Sequence, residues 1–350
     1  MKKIKVLIVD DSALFRRFLC DLLRQDQTLF VVGTAADAHE AGDKVASLRP
    51  DVLTLDIEMP GISGIDFLRK LMQTNPLPVI MVSSYTEENG LLTIEALATG
   101  AVDFVLKPVN GGTLDKENFA REVVQKIKTA AVSKIEKSIN LNRMQKRRNR
   151  LRCKPQTSTR QMVAIGASTG GTRAIYEVLR ALPPDTPGIA VVQHMPPKFT
   201  RLFARRMNEL CPMFVKEAED MDYVQPGHVL IAPGDRHMEI EGSKSGHRVR
   251  LSDGPPVNFH RPSIDVFFQS VAETVGNKAV GVILTGMGTD GAKGLLAMRR
   301  NGAYTIAQDK ETSLIFGMPG AAIKLGASCE VAPIHKMPES ILTGLSTGAI

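Results

Sequence analysis

Short apolar runs alternate with amphipathic stretches along the first 108 residues of the chain. The apolar runs span residues 4–9, 30–32, 52–55, 79–82 and 102–106, and helical periodicity is clear over 14–23, 66–72 and 91–98. Strands that are separated by helix-length connections predict a parallel sheet with helices on both faces. In such a sheet the functional site forms beyond the carboxyl ends of the strands.

The same alternation returns after residue 160. Strands are predicted at 162–165, 189–192, 229–232, 279–284, 304–307 and 330–332, and helices at 173–182, 199–210, 263–275 and 293–300. Between 217 and 254 the pattern is rich in β-strand signals and turns, which indicates a β-hairpin insertion. The predicted fold class is therefore α/β, with two doubly wound parallel-sheet domains and a hairpin in the second.

A basic segment separates the two halves. The chain has 44 Lys and Arg against 37 Asp and Glu, a net charge of +7, and seven uncompensated basic residues lie between 141 and 154. The excess charge is thus local, which argues against a basic folded surface and a nucleic-acid partner. We predict domains at 1–128 and 159–350, joined by a basic linker at 129–158 that acts as a flexible tether.

Composition excludes several other classes of protein. With 43% hydrophobic and 23% charged residues, the chain is typical of a globular protein. No segment is long and apolar enough to suggest a signal peptide or membrane span, so we expect a cytoplasmic, not membrane-embedded, protein. The cysteines are far apart in the sequence and are expected to be reduced thiols: Cys20, Cys153, Cys211 and Cys329.

Polar residues mark four strand ends in the first half. Asp10 and Asp11 follow the first strand, Asp56 ends the third, Ser83 ends the fourth, and Lys107 follows the fifth. Three carboxylates that converge with one ammonium group suit a hard divalent cation, most simply Mg²⁺. A carboxylate beside such cations can accept a phosphoryl group, because they offset charge on the transferring oxygens.

This half closely resembles the receiver domain of two-component response regulators, whose fold is flavodoxin-like. The matching stretches are Val9-Asp10-Asp11-Ser12, Leu55-Asp56-Ile57-Glu58-Met59-Pro60-Gly61, Val82-Ser83-Ser84 and Lys107-Pro108. The resemblance implies that Asp56 accepts the phosphoryl group from a histidine kinase and that Asp10 and Asp11, with Asp56, bind Mg²⁺. The residues that the resemblance implies as support for the phosphorylation site are Ser83, Lys107 and Phe104.

The second half begins with a G-x-S-x-G turn between a predicted strand and a predicted helix. Its residues are Gly166-Ala167-Ser168-Thr169-Gly170-Gly171. Strand, turn and helix in this order are the context of a nucleophile elbow, in which the serine hydroxyl projects beyond the sheet. Taken alone, the turn is equally compatible with a glycine-rich loop that binds phosphate or with no ligand site at all.

A nucleophilic serine needs a base, and the base needs an orienting acid. His194 and Asp290 each follow a predicted strand and would share one sheet rim with Ser168. Along the chain these residues come in the order Ser, His, Asp, whereas ordinary α/β-hydrolases have Ser, Asp, His. The order excludes that family, but it does not exclude a catalytic triad, which is defined by geometry and roles. His260 and His237 are alternative bases.

A competing motif lies in the same region. Gly286-x-Gly288-x-x-Gly291 follows a predicted strand, opens a helix and is succeeded by Asp309, which is typical of a dinucleotide-binding loop. Against this function, Asp290 would direct a carboxylate at the pyrophosphate. A titration with dinucleotide separates the two hypotheses.

Residues 160–335 resemble the catalytic domain of chemotaxis protein-glutamate methylesterases. The matching stretches are Ile165–Gly171, Gln193-His194-Met195-Pro196, Ile231–Gly234, His260–Asp265, Leu284–Gly291 and Phe316-Gly317-Met318-Pro319. Gly320 departs from the family pattern, in which we expect a charged residue. The resemblance implies a phosphorylation-activated esterase, with Ser168, His194 and Asp290 as the catalytic residues.

The implied reactions are hydrolysis of glutamate γ-methyl esters on chemoreceptor signalling helices, with methanol released, and deamidation of specific receptor glutamines. No cofactor is implied for the esterase reaction. We expect the backbone N–H groups near Thr169 and Met287 to form the oxyanion hole. The alternative from another class is a phosphorylation-switched binding module built on an inactive enzyme fold, which would bind a partner without turnover.

Overall fold

A computed structural model describes residues 3–84, 86–108, 113–133 and 161–347. The chain divides into two compact units, Met1–Leu141 and Asn142–Ile350. The predicted linker at 129–158 lies outside the described residues except for its first five positions, so the predicted domain boundaries stay a prediction. Within those five positions, a helix of the first unit continues to Ala131.

The first unit is a five-stranded parallel sheet with the strand order β2-β1-β3-β4-β5. The strands are β1 Ile4–Val9, β2 Leu29–Ala35, β3 Val52–Asp56, β4 Val79–Ser83 and β5 Asp103–Leu106. The helices are α1 Ala13–Leu23, α2 Ala38–Leu48, α3 Gly64–Thr74, α4 Glu87–Thr99 and α5 Thr113–Ala131. The order reverses between β1 and β3, which is where open α/β sheets bind their ligands.

Side-chain caps fix where the helices of this unit begin. Ser12 accepts a hydrogen bond from the Phe15 amide, and Asp37 accepts from the amides of His39 and Glu40. Ser63 and Thr86 cap α3 and α4 in the same way. Such caps satisfy amides that have no partner within the helix, each stabilising it by about 1 kcal/mol. The turns between strand ends and helices are thereby short and well defined.

The second unit contains a seven-stranded parallel sheet with the order β14-β13-β12-β6-β7-β9-β8. Its strands are β6 Met162–Ala167, β7 Ile189–Gln193, β8 Phe214–Glu217, β9 His228–Ile231, β12 Ala279–Ile283, β13 Tyr304–Gln308 and β14 Glu330–Ala332. Its helices are α6 Gly171–Leu179, α7 Phe199–Leu210, α8 Ile264–Thr274, α9 Ala292–Arg300, α10 Met318–Lys324 and α11 Met337–Thr347. The predicted hairpin is β10 His237–Ser243 with β11 Gly246–Ser252, paired antiparallel.

The core of the second unit lies between the central strands and their helices. Every residue of β6, β7 and β12 is buried, so these strands read as continuous apolar runs instead of alternating ones. Helix α8 turns Phe267, Phe268 and Val271 into this core, and all three are fully buried. This packing fixes the direction of α8, and with it the position of the helix N-terminus.

The predicted fold class is confirmed, with differences of detail. In the second unit, the sequence pattern missed α10, α11 and the short edge strand β8. Helix α10 is short and carries Pro319 at its start, while β8 has four residues, of which Phe214 is half exposed. Neither segment is long enough to show a clear period. Among the described residues, no helix has the length and apolar character needed to cross a bilayer.

Candidate functional site

An acidic pocket lies at the carboxyl edge of the first sheet. The structure brings Asp10, Asp11 and Asp56 together, with one carboxylate oxygen of each within 4.8 Å of the others. Asp10 and Asp56 are buried, whereas Asp11 is exposed. Oxygen ligands in such a cluster fit a hard divalent cation. The predicted metal ligands therefore have the chemistry and proximity that Mg²⁺ requires.

Lys107 bridges the two buried carboxylates. Its Nζ lies 2.8 Å from Asp10 Oδ2 and 2.7 Å from Asp56 Oδ2, and 4.7 Å from the ring centroid of Phe15. Burial alone would lower the pKa of Lys107, but hydrogen bonds to both carboxylates raise it above its ordinary value. Burial raises the pKa of Asp56 to about 6, with Asp10 acting in the same direction and Lys107 opposing.

The two remaining residues of the predicted phosphorylation site are both buried. Ser83 ends β4, donates a hydrogen bond to the Ser84 carbonyl at 3.2 Å, and accepts one from Thr93 at 3.1 Å. Phe104 lies in β5 with its ring 3% exposed and Lys126 Nζ 5.1 Å from the ring centroid. Ser83 thus lies at the pocket edge of the sheet, whereas Phe104 is directed into the interior.

Ser168 lies in a sharp turn between β6 and α6. Its amide donates to the Thr285 carbonyl at 3.0 Å, and its own carbonyl accepts from the Gly171 amide at 2.7 Å. Gly170 has φ 79°, a conformation that glycine adopts without steric cost. A Cβ at Gly286 would lie 2.8 Å from the Ser168 Cβ, so the neighbouring loop approaches closely because it carries glycine.

His194 and Asp290 form a hydrogen-bonded pair on the same sheet rim. His194 follows β7, and its Nε2 lies 2.9 Å from Asp290 Oδ2. Among the described residues, the buried Nδ1 of His194 has no hydrogen-bond partner. Ser168, His194 and Asp290 follow β6, β7 and β12, which are neighbours in the order β12-β6-β7. The topology therefore places the three residues that the sequence proposed at one rim of the sheet, with His194 and Asp290 in direct hydrogen-bond contact.

The carboxylate of Asp290 lies at the N-terminus of α8. Oδ2 accepts from the Ile264 amide at 2.7 Å, and Oδ1 accepts from Ser263 Oγ at 2.8 Å and Asn258 Nδ2 at 2.7 Å. Burial alone would raise the pKa of Asp290, but the hydrogen bonds, led by that from His194, hold it below its usual range. The positive end of the helix acts in the same direction. Asp290 is thus held as an anion beside the imidazole of His194.

The two alternative bases differ in their surroundings. The ring of His260 lies 3.7 Å from that of His194 between centroids, and its Nδ1 donates to the Asn258 carbonyl at 2.8 Å. Burial, helped by His194, lowers the pKa of His260 to about 4, so it is neutral near pH 7. His237 uses both nitrogens, since Nε2 contacts the Pro255 carbonyl and Nδ1 accepts from the Ser263 amide. His237 is a structural residue of this site.

Two polar residues that the sequence analysis did not assign to the site support it. Gln193 is buried, and its Nε2 donates to the Ser168 carbonyl at 3.0 Å and the His194 carbonyl at 3.1 Å. Thr285 Oγ1 contacts the Thr169 carbonyl at 3.1 Å and accepts from the Ile315 amide at 2.9 Å. Both are polar residues at the end of an apolar strand, and this position in the sequence is the feature that could have assigned them to the site.

The remaining expectations concern Thr169, Met287 and the glycine motif. Thr169 adjoins Ser168 and is half buried, and Met287 follows Gly286 with its side chain 40% exposed. Their role in an oxyanion hole stays a prediction. Asp309, the acid of the dinucleotide hypothesis, accepts hydrogen bonds from the amide and hydroxyl of Thr312. Asp290 is likewise hydrogen-bonded to His194, so both acids of that motif already have hydrogen-bond partners within the protein.

Both halves of the chain match known protein families. Residues 163–341 match the family described as CheB methylesterase, and residues 6–119 match the response regulator receiver domain. The chain belongs to the CheB methylesterase family. The resemblance drawn from the sequence motifs is thereby confirmed in both halves.

Relatives match this family assignment over the full chain. A protein-glutamate methylesterase/protein-glutamine glutaminase of Escherichia coli O157:H7 is 47% identical over 348 residues, which is 99% of both chains. A protein of the same name, numbered 1, from Geobacter metallireducens is 47% identical and covers 98% of this chain and 96% of its own. The crystal structure of the Thermotoga maritima CheB methylesterase catalytic domain is 41% identical with a TM-score of 0.51, covering 52% of this chain and 97% of that one.

Proposed function

We propose that the chain is a phosphorylation-activated serine esterase that hydrolyses glutamate γ-methyl esters on chemoreceptors and deamidates specific receptor glutamines. The observation that carries the proposal is the His194–Asp290 hydrogen bond on the rim that also bears Ser168. The names of the full-length relatives support the choice of substrate. Such an enzyme serves adaptation in chemotaxis signalling.

The two reactions share one covalent intermediate. Ser168 Oγ attacks the side-chain carbonyl while the Nδ1 face of His194, which Asp290 leaves unused, takes the hydroxyl proton. That proton passes to the departing methoxide, released as methanol, or to the departing amine, released as ammonia. Water then attacks the acyl-serine and gives a proton to His194, which passes it to the departing Ser168 Oγ and so restores the serine and leaves a free glutamate side chain. Thr169 and Met287 amides would stabilise the oxyanion.

The role of Asp290 follows from its hydrogen bonds. Because four donors besides His194 hold its carboxylate, it remains ionised while the imidazole carries the transferred proton. A neighbouring fixed anion stabilises that imidazolium, and the hydrogen bond to Nε2 sets the tautomer of the ring. Asp290 thus acts through His194 without contacting the substrate.

The first unit supplies regulation. Asp56 would accept the phosphoryl group from a histidine kinase of the chemotaxis type, with Lys107 neutralising charge beside it. Asp10, Asp11 and Asp56 would hold Mg²⁺, whose charge offsets that on the transferring oxygens. Ser83 at the pocket edge would sense the new group through its hydroxyl.

Methanol release from methylated receptor tests the proposal, with and without a small acyl phosphate as phosphodonor. We expect release by the natural chain, stimulation by the phosphodonor, and a loss of about 10⁴-fold or more in Ser168→Ala. Ser168→Ala should still take up phosphate at Asp56. Ser243→Ala, in the hairpin, serves as the matched control. Retained methanol release by Ser168→Ala would remove the nucleophile assignment.

A further inference from the structure

An unusual turn precedes His260. Val257 and His260 pair as an antiparallel bridge, with the Val257 amide donating to the His260 carbonyl at 3.0 Å and the reverse bond at 2.9 Å. The two residues between them, Asn258 and Phe259, have φ 52° and φ 66°. Two consecutive left-handed residues are typical of a type I′ turn, which favours asparagine followed by glycine.

Phenylalanine stands where this turn favours glycine. A bulky side chain at positive φ is energetically costly, and Phe259 is 100% exposed, so no packing against the described residues offsets the cost. Asn258, by contrast, suits its position and is bound through Nδ2 to Asp290 and Asp265. The turn is therefore anchored at the catalytic carboxylate while it presents an aromatic ring to solvent.

The position of the turn relates Phe259 to the substrate. Its neighbour His260 lies with its ring 3.7 Å from that of His194, so the exposed ring belongs to a turn that adjoins the candidate base. Met287, also exposed, follows Gly286, whose backbone lies close to the Ser168 side chain. Exposed apolar side chains thus adjoin His260 on one side and Gly286 on the other, where a polypeptide that brings a glutamate ester to Ser168 can contact them.

We propose that Phe259 is a specificity-determining residue that binds an apolar side chain one helical turn from the esterified glutamate of the substrate. Residues four apart share one face of a helix, so a leucine at that spacing can cover the ring while the ester enters the site. The proposal rests on the proposed esterase function and deepens it. Through this contact, the enzyme would recognise the substrate residues next to the esterified glutamate as well as the ester group.

Two helical peptides and two enzymes test this contact. Each peptide carries one glutamate γ-methyl ester on an alanine- and lysine-based helix, with either leucine or alanine at both positions four residues away. For the natural chain, we expect kcat/KM to be higher by about fivefold on the leucine peptide, mainly through KM. Phe259→Gly should remove this preference and leave kcat on the small ester N-acetylglutamate γ-methyl ester unchanged.

The glycine variant also separates binding from folding. Because glycine adopts positive φ without strain, Phe259→Gly should keep or raise the melting temperature while KM for the leucine peptide rises. The matched control is Phe214→Ala, a half-exposed aromatic at the amino end of β8, on the opposite edge of the sheet. This control should retain the full preference for leucine.

Three results would overturn the inference. One is an equal kcat/KM of the natural chain for both peptides, and another is a Phe259→Gly variant that still prefers leucine. The third is an equal loss on the small ester, which would mean that Phe259 only positions His260 and His194. If the natural chain hydrolyses no ester at all, small ester included, the esterase function itself fails, which is a distinguishable outcome.

Discussion

Two buried aspartates at the carboxyl edges of the two sheets have opposite properties. Burial raises the pKa of Asp56 to about 6, whereas hydrogen bonding holds the pKa of Asp290 below its usual range despite burial. Asp56 lies beside a second carboxylate, Asp10, and shares one lysine with it. Asp290 instead accepts from the N-terminus of α8 and from three side chains.

The comparison teaches that burial alone does not set the charge of a carboxylate. The number and kind of its donors decide, because each hydrogen bond to the ionised form opposes desolvation. Asp56, the proposed phosphoryl acceptor, accepts hydrogen bonds from Lys107 and the Ile57 amide and lies in the same pocket as the carboxylate of Asp10. Asp290, the proposed partner of the catalytic histidine, accepts hydrogen bonds from five donors. The first three of the following variants each change one side of this difference, and the fourth tests the same physics at a surface carboxylate.

The largest effect is expected from Asp290→Asn. The amide can no longer stabilise the imidazolium and can favour the wrong tautomer, so kcat for ester hydrolysis should fall by about 10⁴-fold. Kinetics of methanol release measure the loss, and Asp309→Asn, at the end of β13, is the matched control. A variant that keeps a tenth of the natural kcat would show that the donors around Asp290 serve only the fold.

Asp56→Asn should act on regulation alone. Without the carboxylate, no acyl phosphate can form at this position, so phosphate uptake and stimulation of the esterase should both be abolished. Basal methanol release in the absence of phosphodonor should equal that of the natural chain. Radiolabelled phosphate incorporation and methanol release measure the two parts, with Asp66→Asn on α3 as the control. Stimulation that survived in Asp56→Asn would place the phosphorylation site elsewhere.

Asn258→Gly tests one donor to Asp290. Glycine tolerates the left-handed φ of 52°, so the turn is retained while the 2.7 Å hydrogen bond to Oδ1 is lost. Since a hydrogen bond to a charged group contributes about 1.5–3 kcal/mol, kcat should fall by roughly tenfold, with a smaller change in KM. An unchanged kcat would mean that the remaining donors suffice. Steady-state kinetics on the small methyl ester supply the measurement.

The smallest effect is expected at a surface carboxylate. The hydrogen bond from Lys128 lowers the pKa of Asp26 to about 2, with Nζ 2.6 Å from Oδ2. Because the folded pKa is below the unfolded value of about 4, the pair stabilises the fold above pH 4 and the effect disappears as pH falls towards 2. Asp26→Asn should cost less than about 1 kcal/mol at pH 7 and nothing near pH 2. Thermal unfolding at both pH values provides the comparison, and a larger cost at the lower pH would contradict the assignment.

Much of the framework was predictable because it depends on local pattern. The predicted strand at residues 4–9 and helix at 199–210 have the bounds of β1 and α7 in the structure. Ser168, His194 and Asp290 were found by asking which reactive side chains follow strands, since parallel strands share one edge. Segments without a clear period, such as β8 and α10, gave no comparable signal.

The sequence by itself determined two parallel-sheet units and the strand ends that carry reactive groups, because alternating apolar runs and helical stretches are local properties. Tertiary structure alone decided the pKa values and hydrogen-bond partners of those groups. Asn258, Ser263 and Ile264 lie 32, 27 and 26 positions from Asp290 in the chain, and only the packing of α8 brings them to its carboxylate. Likewise, burial raises the pKa of Asp56 with help from Asp10 while Lys107 opposes the rise, and both of these neighbours follow other strands. Charge depends on neighbours in space, which no local pattern specifies.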